Sequence, residues 1–423
     1  MFDNVKSNLD VVARADRTSG ADSLTALRRT ATDALRRNAV VIAALVLLAN
    51  SVLRGIRMPG YWAATHLLFN YQFGFSKRGL LGSLIAYLDL PFFYSYRFCV
   101  VESAVFLAAN LVLLAMLLKR LIGAGAHSAV LVYVSSAAIV FLAHTIGYFE
   151  QITLLVTLLA LRIESFYLRA GFAAIFFSAT LLIHETGFLL FFPVLCFSFI
   201  IDLLERPDRR KALTLGALAL SMTAETVLLG QAHLSHPAVM AMHQALQARA
   251  DFPLRDDAFV LLERSLGDNL QLMLKYWTNP LWFIIQFLSS LTILPTTLYI
   301  LFRTWRLLDG RPRTRWAALV ASLAPLSLHA LGMDLHRWNT LATTTSFLVL
   351  AIVTQRYHTP LAATTAPNPI ALLSVPGVLI MLNLSSAVPL FDRYVVQDFP
   401  YHDHLKDVLE ILGGNTSVLL PQR

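Results

Sequence analysis

Charge is scarce in this chain. Asp, Glu, Lys and Arg make up 14% of its 423 residues, against about 25% in an ordinary soluble domain. That scarcity excludes a water-soluble globular domain and a charged disordered chain alike. Cysteine is scarcer still. Cys99 and Cys196 both sit in apolar segments, so there is no disulfide framework and no cysteine metal spacing. The formal net charge is +8, yet no basic patch interleaves with aromatics and no nucleic-acid motif occurs. The basic residues lie mostly at the ends of apolar segments, where they act as topology signals. We therefore expect no nucleic-acid partner. By eye there is no internal repeat and no low-complexity tract. An export leader is not expected either: residues 1–38 are polar, and the apolar stretch that follows is too long for one.

What the chain has in abundance is apolar length. It is 57% hydrophobic, with a mean hydropathy of +0.61. A membrane-crossing helix needs roughly 20 apolar residues. The pattern predicts an all-α, polytopic transmembrane bundle of about eleven spans. These are placed at 39–56, 98–118, 128–146, 149–162, two within 171–201 split by His184–Gly187, 212–230, 280–302, 316–332, 339–354 and 368–388. Three regions result: a cytoplasmic N-terminal segment over 1–38, the transmembrane domain over 39–390, and an outer-face tail over 391–423. With the N-terminus inside, the inner segments hold 21 of the Lys and Arg residues and the outer segments 13, as the positive-inside rule requires. The first outer loop, 57–97, breaks the rule with Arg54, Arg57, Lys77, Arg78 and Arg97 in it or at its edges. Its aromatic, amphipathic sequence suits a segment lying in the interface, with Tyr61, Trp62 and Tyr71 at headgroup level.

The ionisable residues of the outer connectors are the candidate site, because charge at or near a bilayer is costly and persists mainly where it works. Ten of the 12 histidines fall on this side. His184-Glu185 lies at a helix end in an apolar context. Glu185 is either a desolvated general base with a raised pKa or a carboxylate paired with an Arg from another loop. Asp334 and Arg337 are three apart, so they share a face if helical. They form a salt bridge or a phosphate-reading site, since the guanidinium suits bidentate oxyanion binding. Trp338 then stacks on a sugar or sits in the aromatic belt. Lys77-Arg78 either snorkels to lipid phosphate or holds a pyrophosphate. Glu150, with Tyr148 and Gln151, starts a span and faces the same cavity. His184 suits a ligand for a metal or a hydroxyl, and His336 lies on the same outer side as a further candidate substrate-binding residue. HExxH is excluded, because position 188 is Phe. His233-x-x-His236 and His402-Asp403-His404 have metal-compatible spacing without a third and fourth ligand fixed by sequence, so a divalent metal stays open as a cofactor.

Three segments, FNYQFGFSKRGLLGSL, IHETGFLLFFP and GMDLHRW, resemble those of bacterial surface-polysaccharide assembly proteins. That group comprises GT-C-type glycosyltransferases and O-antigen-type polymerases. The resemblance implies an inner-membrane enzyme with a periplasm-facing site, a polyprenyl-phosphate-linked sugar as substrate, inverting transfer and partners in an assembly complex. It also implies roles: Glu185, Asp334 or Glu150 as base, Lys77, Arg78 and Arg337 as a phosphate clamp. The usual acidic residue of the first outer loop is missing. Asn70-Tyr71-Gln72 stands there, and the loop's one acid is Asp89. The competing classes are a transporter or lipid-linked-oligosaccharide flippase, with histidines and carboxylates as a proton relay, and a non-catalytic scaffold that needs none of these charges.

Overall fold

The structure, a computed structural model, describes residues 38–332, 334–357, 374–386 and 388. The N-terminal segment and the proposed outer-face tail lie outside the described residues, as do His402 and His404. Among the described residues every element is helical. The chain runs through α1 (Asn38–Gly55), α2 (Tyr61–Leu67), α3 (Leu80–Leu88), α4 (Tyr96–Gly123), α5 (His127–Val134), α6 (Ala137–His144) and α7 (Glu150–Ala160). Then come α8 (Phe166–Ile183), α9 (Phe192–Glu205), α10 (Arg209–Gln231), α11 (His236–Gln247), α12 (Asp256–Glu263) and α13 (Leu266–Trp277). The last five are α14 (Pro280–Ser290), α15 (Leu294–Leu307), α16 (Pro312–Leu323), α17 (Leu335–Tyr357) and α18 (Val375–Ser385).

Four helices, α1, α4, α8 and α10, are long and apolar enough to cross a membrane, and a fifth span results if α5 and α6, bent by 45° at Ser135–Ser136, count as one. They carry the lipid-facing signature. Leu213, Leu220 and Val227 of α10, seven residues apart, are exposed together, as are Val101, Val105 and Val112 of α4. Eleven spans are not supported, and the reasons are local. The 149–162 segment yields α7, whose 11 residues reach about 16 Å at 1.5 Å per residue, well short of a hydrocarbon core of about 30 Å. The 280–302 segment breaks before Pro295 into α14 and α15. The 316–332 segment leaves α-geometry at Ala324, one residue before Pro325, and continues as a 3-10 turn. The 368–388 segment yields an 11-residue helix.

The expected tenth span, α17, is long enough at 23 residues but is not apolar. It is the central helix, packed by α15, α16, α9 and α6. Its buried Thr340, Thr343, Thr344, Thr345 and Ser346 meet protein rather than lipid. Thr343 Oγ1 lies 2.7 Å from Thr297 Oγ1 of α15. Thr345 Oγ1 donates to Ser322 O of α16 at 2.6 Å. Small hydroxyl residues let helices approach closely and satisfy one another in an apolar medium.

The loop at 57–97 folds as α2, a turn and α3, and leaves Leu84, Tyr87, Leu88 and Phe92 exposed. Ala64, Leu67, Leu68 and Phe69 are buried, and Phe69 packs on Phe259 of α12 with ring centroids 5.1 Å apart. Gly82 makes this possible: a Cβ there would stand 2.1 Å from the Phe69 carbonyl.

An ionic cluster closes the bundle at the end remote from this loop. Arg169 Nη2 of α8 donates to Asp202 Oδ2 of α9 at 2.5 Å. Arg356 Nη2 of α17 meets Asp202 Oδ1 at 2.9 Å and Glu205 Oε2 at 2.6 Å. The Arg169 guanidinium also lies over the Phe199 ring, 4.6 Å from its centroid. Removing one member of a buried ion pair leaves the other uncompensated. Arg169→Ala is therefore expected to cost about 3 kcal/mol of stability, read as a lowered thermal midpoint of the purified protein, with any activity retained below that midpoint. Lost activity at an unchanged midpoint would refute a purely structural role.

Candidate functional site

The helix ends opposite that cluster carry a second and more deeply buried set of charges. It starts with Arg78, which occupies the left-handed region at φ 64°. A non-glycine residue seldom adopts this conformation, and where it does the surroundings must hold it there. The next residue, Gly79, lies under Tyr71, where a Cβ would stand 2.2 Å from the ring. The turn thus drives the Arg78 side chain inward, where it is 8% exposed. Its Nε and Nη2 donate to Glu185 Oε2 and Oε1 at 3.1 and 3.0 Å, a bidentate fork. Its Nη1 donates to His66 Nδ1 at 3.2 Å.

Glu185 and His184 reach this point because α8 stops. His184 takes extended angles, φ −158° and ψ 102°, a turn at Glu185-Thr186 follows, and Gly187 opens a short helix to Leu190. Gly187 leaves room for Thr153 of α7, whose side chain would lie 3.1 Å from a Cβ. His184 Nε2 donates to Glu150 Oε1 at 2.9 Å, and Thr186 Oγ1 lies 2.7 Å from the same nitrogen. His184 Nδ1 faces Glu185 Oε2 at 3.7 Å. Glu150 opens α7 and is 3% exposed. Its Oε1 also accepts from Arg337 Nη2, while Oε2 has no hydrogen-bond partner among the described residues. Arg337 completes the series by donating to Asp334 Oδ2 at 3.1 Å. Its guanidinium lies between the rings of Tyr148 and Trp338, 5.0 and 4.9 Å from their centroids.

Four distant segments thus meet in one chain of contacts: Asp334, Arg337, Glu150, His184, Glu185, Arg78 and His66. Beside it lies a small recess, lined among others by Trp62, His66, Arg78, Tyr148, His184 and Arg337. Gly147 shapes its wall. It has φ +86°, and a Cβ would crowd Pro59, Ser103 and Ala63 at 3.0–3.3 Å.

Of the sequence candidates, Arg78, Glu150, His184, Glu185, Asp334 and Arg337 come together. Glu185 takes the paired alternative rather than the desolvated one. Burial would raise its pKa, but the Arg78 guanidinium, with His184, holds the carboxyl well below the usual value. Lys77 is buried but turned elsewhere, donating Nζ–H to the Arg264 carbonyl. Trp338 is 4% exposed and packs in the core rather than in an aromatic belt. His336 stands outside the network. His236 pairs with Glu263 at 2.7 Å on an exposed surface, and His233 bonds the Gln231 carbonyl. No group of three metal-ligating side chains occurs among the described residues. The sequence reading missed His66 and Trp62 as site residues. Their ring centroids are 3.7 Å apart, and Trp62 stacks on Tyr148 at 5.3 Å. The only sequence signal was their membership in the basic, aromatic first loop.

Nothing matches this chain among family models, curated proteins or solved structures.

Two outcomes test the geometry. Arg337→Ala leaves Glu150 buried without its cation and is expected to cost about 3–5 kcal/mol. In a Glu150→Gln background the same change should cost far less, a coupling that a double-mutant cycle reads from thermal midpoints; equal costs in both backgrounds would refute the pairing. The second concerns pH. Burial, then Arg78, hold the His66 pKa well below its ordinary value. A histidine depressed in the folded state contributes stability above its unfolded pKa of about 6.5, and that stability is lost as pH falls below it. Between pH 6.5 and 5 the stability of wild type should fall more steeply than that of His66→Phe, by up to one proton's worth of slope; parallel profiles would sink the assignment.

Proposed function

We propose that this protein is a polytopic membrane glycosyltransferase or polysaccharide polymerase. It acts on a polyprenyl-phosphate-linked sugar at a site on the outer face of a bacterial inner membrane. The observation that carries the reading is the recess walled by Arg78, Arg337, His66 and His184, one wall of which adjoins a buried carboxylate, Glu150. Lipid-facing helices beside it suit a substrate with an apolar tail.

In the reaction, the acceptor hydroxyl gives its proton to a carboxylate, and its oxygen attacks the anomeric carbon as the bond to the phosphate oxygen breaks. Charge then builds on the departing lipid phosphate, and fixed guanidinium and imidazole donors stabilise it without reorganising. Glu150 suits the base better than Glu185, because its Oε2 has no partner among the described residues whereas both Glu185 oxygens are held by Arg78. Asp334 orients Arg337. The second reading, proton-coupled transport of a lipid-linked sugar, draws on His184 standing between two carboxylates.

The test is the surface-glycan profile of the native host, comparing a gene deletion with Glu150→Gln and Arg78→Ala, each confirmed at wild-type levels in the membrane. Loss or shortening of the glycan in the point variants is expected. A collapse to single repeats indicates polymerisation, and one missing sugar indicates a single transfer. An unchanged glycan in the deletion strain overturns the reading. Lipid-linked precursor trapped on the cytoplasmic side favours the transport reading.

A further inference from the structure

One helix at the site's end of the bundle has a surface unlike that of its neighbours. α13 (Leu266–Trp277) has three faces. Met273 is 2% exposed and packs inward. Leu266, Leu270, Leu274 and Trp277 follow one another at intervals of four, four and three residues, which aligns them on one stripe. All four are exposed, from 37 to 57%. Asp268, Gln271 and Lys275 are exposed on a separate, polar stripe. A helix immersed in lipid has no use for the polar stripe, and a helix bathed in water has none for the apolar one. Together they are the composition of a helix lying in the plane of a membrane surface.

Its attachments set its direction. α10 starts at Arg209, close after Glu205 of the fastening cluster, so it ends at the opposite, site-bearing end. There Leu266 packs against Gly230, the penultimate residue of α10, where a Cβ would lie 3.5 Å from the leucine. At the other end of α13, Trp277 Nε1 donates to the His329 carbonyl at 3.0 Å. His329 Nε2 in turn lies 3.2 Å from Asn339 Oδ1, in the first turns of α17. Both attachments are thus at one end of the bundle. A helix of 12 residues, about 18 Å long at 1.5 Å per residue, runs across the bundle end when it is held in this way. What covers the apolar stripe follows from continuity. Val227 and Leu228, within a turn of Gly230, are exposed on α10, a helix long and apolar enough to cross a membrane. The lipid-facing surface of α10 therefore leads onto the stripe at Leu266. Arg264, just before α13, accepts a hydrogen bond from Lys77 Nζ, which fastens the helix to the segment that carries Arg78.

We infer that α13 is an interfacial helix. Its Leu266, Leu270, Leu274 and Trp277 stripe is seated in the lipid leaflet at the site's end of the bundle, at the boundary of headgroups and acyl chains, with Asp268, Gln271 and Lys275 in water. Trp277 closes the stripe with an amphipathic ring of the kind that settles at that boundary. The inference rests on the membrane part of the proposed function and is independent of glycosyl transfer.

The test uses the full-length protein in vesicles of phosphatidylcholine and phosphatidylglycerol. Leu270→Cys, Leu274→Cys, Gln271→Cys and Leu220→Cys each carry an environment-sensitive fluorophore, and wild type, treated in parallel, is the blank for Cys99 and Cys196. The quenchers are iodide in the aqueous phase and nitroxides at a shallow and a deep position on lipid chains. Labels at 270 and 274 are expected roughly 5–10 Å below the headgroup boundary, the depth of such helices, and quenched most by the shallow nitroxide. The label at 271 should be quenched by iodide, and the label at 220, midway along α10, most by the deep nitroxide. Iodide quenching at 270 equal to that at 271 overturns the inference, because α13 then lies in water. Shielding at 270 from every quencher also overturns it and assigns the stripe to a protein partner or a second copy. Quenching at 270 to the depth of 220 overturns it in favour of a spanning helix. The label at 220 separates this result from the membrane reading. If no lipid quencher reaches 220, both fall; if 220 is deep and 270 is in water, this inference alone falls. The glycan profile tests glycosyl transfer separately.

Discussion

The structure depends on one constraint: seven polar and charged side chains, five of them buried, must satisfy each other largely away from water. Bringing an isolated ion into an apolar surround is expensive, and the cost is offset only where partners and hydrogen bonds are complete. Asp334, Arg337, Glu150, His184, Glu185, Arg78 and His66 approach that condition by alternating acceptor and donor along one line, while Glu150 Oε2, His184 Nδ1 and His66 Nε2 have no hydrogen-bond partner among the described residues. Each segment supplies a group that another needs. The first loop brings Arg78 and His66, the start of α7 brings Glu150, the end of α8 brings His184 and Glu185, and the start of α17 brings Arg337. The Asp334–Arg337 and His184–Glu185 contacts are local, but the rest of the line forms only as remote parts of the chain dock. The network is therefore a test of the whole fold, and it specifies one arrangement of these helix ends over others.

The same two helices are tied at their other ends. Arg169 at the start of α8 and Arg356 at the end of α17 share Asp202 of α9. Hence α8 and α17 carry ionic contacts at both termini. Alternating access requires one end of such a bundle to open while the other closes, and here each opening breaks an ion pair in a low-dielectric setting. A site reached from one side requires no such motion. This mechanical argument, more than the identity of any one residue, favours chemistry at a fixed outer-face site over passage through the bundle.

Much of the site was legible in the sequence because charge within an apolar chain is rare enough to be informative. Glu150, His184-Glu185, Arg78 and the Asp334–Arg337 pair stood out on that ground alone. The partner of each did not. Whether Glu185 is a bare carboxylate or half of a fork depends on where Arg78 points, and that follows from a left-handed turn with no strong sequence mark. His66 and Trp62 were hidden for a related reason: in an aromatic loop at a membrane edge, an interfacial ring and a ring facing inward have the same sequence appearance. The helix count failed differently. Hydropathy registers which helices can face lipid, so it found α1, α4, α8 and α10 at nearly their observed limits. It cannot separate a span from a short apolar helix such as α7, and it gave α17, the hydroxyl-rich centre of the bundle, no special place.

Several special backbone positions lie at this same end. Arg78 has a positive φ, Gly79 admits the Tyr71 ring, Gly147 has φ +86° against Ser103 and Ala63, and His184 leaves helical geometry within a single residue. By contrast, the opposite end holds its ions on ordinary helical backbone at Arg169, Asp202 and Arg356. A cluster that only fastened helices together would not need strained turns, as the far end demonstrates. Strain of this kind costs of order 1–3 kcal/mol per residue and persists where its surroundings enforce it. Here those surroundings are the ion network itself, which holds Arg78 and His66 at the wall of the recess. The asymmetry between two otherwise similar ionic clusters is thus a physical reason to assign binding to one and fastening to the other.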